Sequence, residues 1–412
     1  MKRENLLYVG IDLHKESHTA VLVNCWNEKL RTIKIENKPS EFTKLLKAVN
    51  KTAMEQGLQP IYGLENAYGH GRALTVWLIE QGCVVKDVNP AFAYDQRKSA
   101  PIMKKNDEYD AYSVATVLIS QLNNLPDAKS EDNHWTLSQL VNRRDKLVKD
   151  GVRLKLALHE QVTAAYPSYK KYFCMIDTKT ALYFWQTYPS PMHLTDKTAE
   201  ELHEELRTVA YNTRISKAEL IMECVQADGK TERGYQGTRD FITVSLVKDL
   251  KHQHQALEQT EKEIAKKLAT FDYQLMTLPG VGTAVAAKMI TEIGDISRFK
   301  SADKLAAFAG ISPKSFSSAG KGHDESNKQG NRQLRSLFYF LAVSMVTVSA
   351  QSGKPYNPIF REYFLRKVSE GKTKPQALVC IMRRLVNIVY GMMKNKTAYR
   401  PYQQENSDGS DL

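Results

Sequence analysis

The sequence predicts an α/β amino-terminal domain, then long helices of coiled-coil character, then a mainly α carboxy-terminal domain. Three observations lead to it. Three strand-like segments followed by alternating helix and strand open the chain; charged helical stretches with near-heptad leucines occupy its middle; and the composition changes again after Leu278.

Taken in order, Leu6 to Leu13 is apolar enough for a buried strand, and Thr19 to Cys25 and Leu30 to Ile35 predict two more, joined by short polar turns. A helical stretch follows, then a strand from Pro60 to Glu65, a helix from Arg72 to Gln81 and a strand from Cys83 to Val88. Helices are expected from Asn89 to Lys98 and from Asp107 to Leu122. That order is the order of a ribonuclease-H-like mixed sheet covered by helices.

From Leu137 to Tyr166 the pattern is helical and charged, and a second such helix runs from Phe241 to Leu268. The two are expected to pack on each other or across a dimer, as a coiled coil or as ordinary amphipathic helices of a bundle. A less regular segment, Asp177 to Gly237, lies between them. Pro279-Gly280-Val281-Gly282 opens a helix and is compatible with a phosphate-binding helix-hairpin-helix turn or with a plain helix-helix turn. The expected division is therefore an α/β domain over residues 1–130, a helical linker and dimerisation region over 131–270, a carboxy-terminal domain over 271–402 and a disordered tail over 403–412.

At 412 residues, with 42% hydrophobic and 25% charged side chains, the chain is expected to fold into two or three domains. A net charge of +12 attracts polyanions and puts nucleic acid first among partners. The five cysteines, Cys25, Cys83, Cys174, Cys224 and Cys380, are odd in number and scattered without Cys-x-x-Cys spacing, which argues against a disulfide framework and a zinc ribbon and fits a reducing cytosol. The polar start leads directly into a strand, and no apolar run approaches membrane-spanning length, so a soluble, cytoplasmic protein is expected.

Charged residues interrupt the apolar strands at telling places. Asp12 ends the first strand in Tyr8-Val9-Gly10-Ile11-Asp12, and Glu65 ends the fourth in Tyr62-Gly63-Leu64-Glu65. A buried carboxylate is costly unless paired or metal-bound. Asp107 and Asp110 stand about one turn apart at the start of a helix. Together the four supply oxygens for two divalent ions ~3.5–4 Å apart, the arrangement for in-line phosphoryl displacement. Singly, Asp107 and Asp110 read more commonly as helix N-terminal acids answering the dipole, and Asp12 as a turn residue. His14 and His18 fall in a strand-turn region rather than on a helix and do not read as a zinc pair.

Between Ser297 and Phe340 eight basic residues (Arg298, Lys300, Lys304, Lys314, Lys321, Lys328, Arg332, Arg335) outnumber three acidic ones. They surround a small-residue loop, Ser315 to Gly322, on which a serine could attack a phosphodiester among cations; composition alone favours a solvated linker.

With these residues assembled, the chain resembles the insertion-sequence transposases that join a RuvC-like DEDD domain to a carboxy-terminal serine domain, the bridge-RNA-guided serine recombinases of the insertion sequence 110/1111 group. The likeness lies in Val9-Gly10-Ile11-Asp12, Glu65-Asn66-Ala67-Tyr68-Gly69, Val88-Asn89-Pro90 and Lys105 to Ala111. It continues in Leu278 to Gly282, Arg298-Phe299, Ile311-Ser312-Pro313, Ser318, Lys328 to Arg332 with Leu334-Arg335, and Gly371-Lys372 with Ala377-Leu378.

The resemblance implies that Asp12, Glu65, Asp107 and Asp110 bind magnesium, as two ions that manganese can replace, and that Ser318 is the nucleophile. Ser317 is the second choice, because Ala319 stands where the family has glycine. Glu108 is expected to add a fifth carboxylate beside the ions. A 5′-phosphoserine link with release of a 3′-hydroxyl is implied, together with donor and target DNA and a structured bridge RNA as partners. Lys314, Lys321, Lys328, Arg332 and Arg335 are expected to bind nucleic acid, and homodimers to join into tetramers. A bacterial or archaeal, nucleoid-associated location is implied with no membrane partner. The alternatives are a junction-resolving endonuclease using the same carboxylates with water, an actin-like kinase or ATPase and a non-catalytic nucleic-acid-binding protein.

Overall fold

The computed structural model describes residues 2–65, 69–99, 106–128, 133–312, 314–318, 321–325 and 330–401. Two compact units divide the chain, Met1–Trp135 and Thr136–Leu412.

The first unit is a five-stranded mixed sheet. Its strands are β1 (Leu6–Leu13), β2 (Ser17–Val23), β3 (Lys29–Glu36), β4 (Gln59–Glu65) and β5 (Val85–Val88), in the order β3-β2-β1-β4-β5. β2 runs antiparallel to both β1 and β3, while β4 is parallel to β1 and β5. Helices α1 (Pro39–Gln56), α2 (Arg72–Glu80), α3 (Pro90–Lys98) and α4 (Asp107–Gln121) accompany it. This mixed sheet with its helices is consistent with the ribonuclease-H-like amino-terminal domain that the sequence predicts.

Alternation along the central strands sorts side chains between two cores. Leu7, Val9 and Ile11 of β1, with Tyr62 and Leu64 of β4, pack with Phe42, Leu45 and Val49 of α1 and Leu74 and Leu78 of α2. Leu6 and Tyr8, with Ile61 of β4, pack instead with Ala111, Val114, Ala115 and Leu118 of α4. α4 lies unusually close to the sheet. A Cβ on Gly10 would stand 2.2 Å from the Ala111 carbonyl oxygen and 2.4 Å from the Ala115 nitrogen, and one on Gly63 would stand 2.6 Å from Leu118. Only glycine permits that approach.

In the second unit, α5 (Asn133–Ala165) and a later helix of equal length form an antiparallel pair within one chain. Between them, α6 (Lys179–Thr187), α7 (Ala199–Val209) and α8 (Ile215–Asp228) replace the irregular segment the sequence suggests. Thr178 caps α6, a capping box at Thr198 starts α7, and Tyr166, Phe173, Phe184 and Trp185 fill a shared aromatic core. These helices are short: α6 buries Phe184 and Trp185, whereas α7 buries Leu202 and Leu206 one turn apart, a helical signal present in the sequence.

The returning partner is α9 (Gln236–Leu268). Arg144 meets Glu261, Leu147 meets Gln253 and Gln161 meets Arg239, so the sequence numbers run in opposite senses along the pair.

The remaining elements are α10 (Thr283–Ile293), α11 (Ala302–Phe308), β6 (Lys314–Ser318), β7 (Lys321–Glu325), α12 (Arg332–Val346), α13 (Pro358–Ser369) and α14 (Lys374–Asn395). Their core centres on Leu334, Phe338, Leu341, Ile381 and Leu385 and includes Leu137 from α5. A 3-10 turn, Leu275–Thr277, rather than an α-helix precedes the Pro279-Gly280 turn, and Leu278 and Val281 are buried in this core. No helix among the described residues is long and apolar enough to cross a membrane. The expected tail, 403–412, lies outside the described residues.

Candidate functional site

β1 and β4 place Asp12 and Glu65 side by side. Gly10 pairs with Gly63 and Ile11 with Leu64, so the next residues, Asp12 and Glu65, are neighbours at the ends of parallel strands. The alternation that turns Tyr8 and Ile61 toward α4 turns these two carboxylates the same way. α4 begins at that point. Asn106 caps it by accepting a hydrogen bond from the Tyr109 amide at 2.7 Å, and Asp107 and Asp110 occupy its first turn, where the helix dipole favours negative charge. The dipole reading and the cluster reading of these aspartates therefore hold together.

Electrostatics tie the four into one site. Burial pushes the Asp12 carboxyl above its ordinary range; the proximity of His14 works against this, while Asp110 and Asp107 add to it. Burial also raises Glu65, which is opposed by Arg97 and reinforced by Asp12 and Asp110. Asp12 is only 8% exposed. Oδ2 of Asp12, Oε2 of Glu65 and Oδ1 of Asp110 are buried and accept no well-directed hydrogen bond from any described residue.

Basic side chains stand close by. Nε2 of His14 is 2.9 Å from Asp12 Oδ2 and 3.5 Å from Asp107 Oδ1, and Nζ of Lys34 is 3.4 Å from Asp107 Oδ2. Nη1 of Arg97 lies 3.1 Å from Asp110 and 3.8 Å from Glu65. Ligand atoms of Asp12, His14 and Asp107 lie within 4.8 Å of one another.

The donor set fits a divalent cation. Clustered, largely buried carboxylate oxygens are the hard donors that magnesium or manganese takes, and one imidazole does not exclude either.

Two sequence readings need correction. Glu108 does not join the cluster: it pairs with Lys29 at 2.7 Å and Thr32 at 2.8 Å, which holds its carboxyl below the usual range. Adjacent helix positions diverge by ~100°, so a residue between Asp107 and Asp110 faces elsewhere. The segment from Ser315 to Gly322 is not a plain loop either. β6 and β7 form an antiparallel pair in which Ser317 faces Gly322 and Ser318 faces Lys321. Alternating Ser-Phe-Ser with a glycine beyond it is compatible with a hairpin.

His14 and Arg97 are members of the site that sequence reasoning missed. His14 continues the two-residue period of Tyr8, Gly10 and Asp12, a signal that was available. His18 of β2, by contrast, is buried against Phe42 of α1, and burial lowers its pKa. Lys314 and Lys321 lie on β6 and β7, and Arg332 and Arg335 in the first turn of α12, where Asn331 caps the helix. Lys328 lies outside the described residues, as do Asn66 to Tyr68, Lys105 and Pro313.

Comparison with known proteins assigns the chain. Residues 9–167 match the DEDD transposase family named for IS110, and residues 272–361 match the family described as Transposase IS116/IS110/IS902. The chain is 26% identical to the "Insertion element IS116 uncharacterized 44.8 kDa protein" of Streptomyces clavuligerus, over 97% of each chain. It is 22% identical to the "Insertion element IS900 uncharacterized 42 kDa protein" of Mycobacterium paratuberculosis, over 96% of this chain and 97% of that one. A "Pilin gene-inverting protein" of Moraxella bovis is 33% identical over 32% of this chain and 38% of its own length. With both family matches in their expected order and together spanning more than half of the sequence, the chain belongs to the IS110/IS116/IS902 family of transposases, enzymes of DNA recombination.

Proposed function

We propose that this transposase cleaves and rejoins DNA with a serine nucleophile, assisted by divalent cations held by Asp12, Glu65, Asp107 and Asp110. The observation that carries the reading is the convergence of these carboxylates from β1, β4 and α4, with three of their oxygens buried beside His14 and Arg97 but held by no well-directed hydrogen bond among the described residues. Such oxygens are costly unless a cation meets them. Magnesium, as two ions or with manganese in its place, would neutralise charge on the reacting phosphate.

In the proposed reaction the hydroxyl oxygen of Ser318, or of Ser317 as the second choice, attacks phosphorus. The bond from serine oxygen to phosphorus forms as the bond to the 3′-oxygen breaks. The serine proton passes to a base or solvent, and the released 3′-oxygen is protonated. One ester replaces another, so a second strand's 3′-hydroxyl reverses the step without ATP. Lys314, Lys321, Lys328, Arg332 and Arg335 are proposed to hold phosphate backbone, and the net charge of +12 supports a polyanionic partner. A structured bridge RNA is proposed to choose donor and target sites by base pairing, with dimers joining into tetramers. Support for this comes from the motif resemblance.

Strand cleavage on a supercoiled substrate tests the reading. Cleavage is expected to need magnesium or manganese and to vanish in Asp12→Asn. Metal-dependent cleavage that persists in both Ser318→Ala and Ser317→Ala would favour the junction-resolving nuclease with a water nucleophile.

A further inference from the structure

Two basic side chains divide the carboxylate cluster. His14 lies between Asp12 and Asp107, and Arg97 lies between Glu65 and Asp110. Arg97 belongs to the last turn of α3, a helix capped by Asn89 immediately after Val88, the β5 residue paired with Glu65. α3 packs along α4, which brings the guanidinium to the first turn of α4 from the side.

The contact has an unusual form. Arg97 is 17% exposed, and its partners Glu65 and Asp110 are 18% and 17% exposed, so all three are largely withdrawn from water. A permanent arginine partner in such a place usually grips its carboxylate with two parallel N–H bonds. Here one nitrogen serves both carboxylates, and neither acceptor oxygen receives a well-directed hydrogen bond. Arg97 supplies charge without the fork that would fix it. Without that charge, two adjacent buried carboxylates would face each other uncompensated. A divalent ion at the same oxygens supplies twice the charge at shorter range, and the guanidinium then becomes a like charge beside it.

We propose that Arg97 is an exchangeable counter-ion: it neutralises Glu65 and Asp110 in the metal-free chain and gives up its place when a divalent cation binds. The inference rests on the carboxylates being a metal site, and it makes cation binding a replacement rather than an addition. Arg97 is thus a positioning residue that keeps the empty cluster assembled and sets the threshold for loading.

The test uses the full-length chain freed of metal, with Mn2+ as the probe. Calorimetric titration and thermal unfolding compare wild type with Arg97→Gln and Arg97→Lys. Arg97→Gln is expected to lower the metal-free Tm, to bind Mn2+ about tenfold tighter and to gain more Tm on loading than wild type does. Arg97→Lys keeps the charge on a shorter, non-planar head, and it should fall between the two. If Arg97→Gln does not fold without metal, Arg97→Lys carries the affinity measurement, and recovery of folded Arg97→Gln on adding Mn2+ supports exchange. Unchanged or weaker Mn2+ binding in the variants, with wild type binding normally, overturns the exchange and leaves the metal site standing. No Mn2+ binding by any of the three proteins removes the metal reading and the exchange together.

Discussion

Gly10→Ala tests whether the close approach of α4 builds the site. The added Cβ would meet backbone, 2.2 Å from the Ala111 carbonyl oxygen and 2.4 Å from the Ala115 nitrogen, against ordinary contacts of 3.4–4 Å. Backbone inside a packed helix cannot turn aside as a side chain can, so α4 must retreat from β1 by about 1 Å. Overpacking of this kind costs roughly 1–3 kcal/mol, and the upper end is expected where the obstacle is main chain. The same movement carries Asp107 and Asp110 away from Asp12 and Glu65. A displacement of about 1 Å in a catalytic constellation costs on the order of 100-fold in rate. Urea unfolding gives the stability loss, and metal-dependent cleavage below the unfolding transition gives the functional one. Gly237→Ala, at a helical position with open space around it, is the control and should leave both unchanged or slightly improve stability. Wild-type stability and cleavage in Gly10→Ala would refute the claim that this contact sets the geometry.

Further outcomes follow from other parts of the molecule. Because burial raises the Asp12 and Glu65 carboxyls, the metal-free fold binds their protons more tightly than the unfolded chain does. Their stabilising contribution is full at acid pH and is lost as pH rises through the raised values. Metal-free Asp12→Asn should therefore show a shallower loss of Tm from mildly acidic to neutral pH than wild type, and an equal slope would contradict the burial argument. Gln253, whose amide donates to the Leu147 carbonyl at 2.8 Å inside the α5–α9 pair, should cost about 1–3 kcal/mol on replacement by alanine, read by urea unfolding. Trp185→Ala should cost roughly 3–5 kcal/mol, since the indole is fully buried among Tyr166, Phe173 and Phe184. If Arg332 contacts phosphate, Arg332→Ala should reduce the salt slope of DNA binding by about one unit in log–log terms, measured by fluorescence anisotropy across salt concentrations.

Much of the first unit was legible because its pattern is local. Apolar runs ended by Asp12 and Glu65, and the two aspartates opening α4, single out the four carboxylates only when taken together in the order this fold requires. His14 was legible by the same two-residue period once Asp12 was assigned to the α4 side of the sheet. Glu108 adjoins Asp107 in sequence, but helix phase turns it toward Lys29 and Thr32 instead of the cluster. Arg97 could not be found this way, since its place depends on how α3 packs along α4, a tertiary fact with no periodic trace. The helices between α5 and α9 are short: the core around α6 is aromatic, while the caps at Thr178 and Thr198 and the Leu202–Leu206 spacing of α7 are local marks that the sequence does offer. A strand pair at Lys314–Ser318 and Lys321–Glu325 was hidden by small and polar residues that also compose linkers.

The most direct test of the central claim is mass spectrometry of the protein trapped on DNA carrying a nick that lets the broken strand diffuse away. The account predicts a 5′-phosphate ester on Ser318, or on its neighbour Ser317, formed only when magnesium or manganese is supplied and absent in Asp12→Asn. Efficient cleavage with no phosphoserine at either position, or the same adduct formed at full yield in chelator, would contradict it.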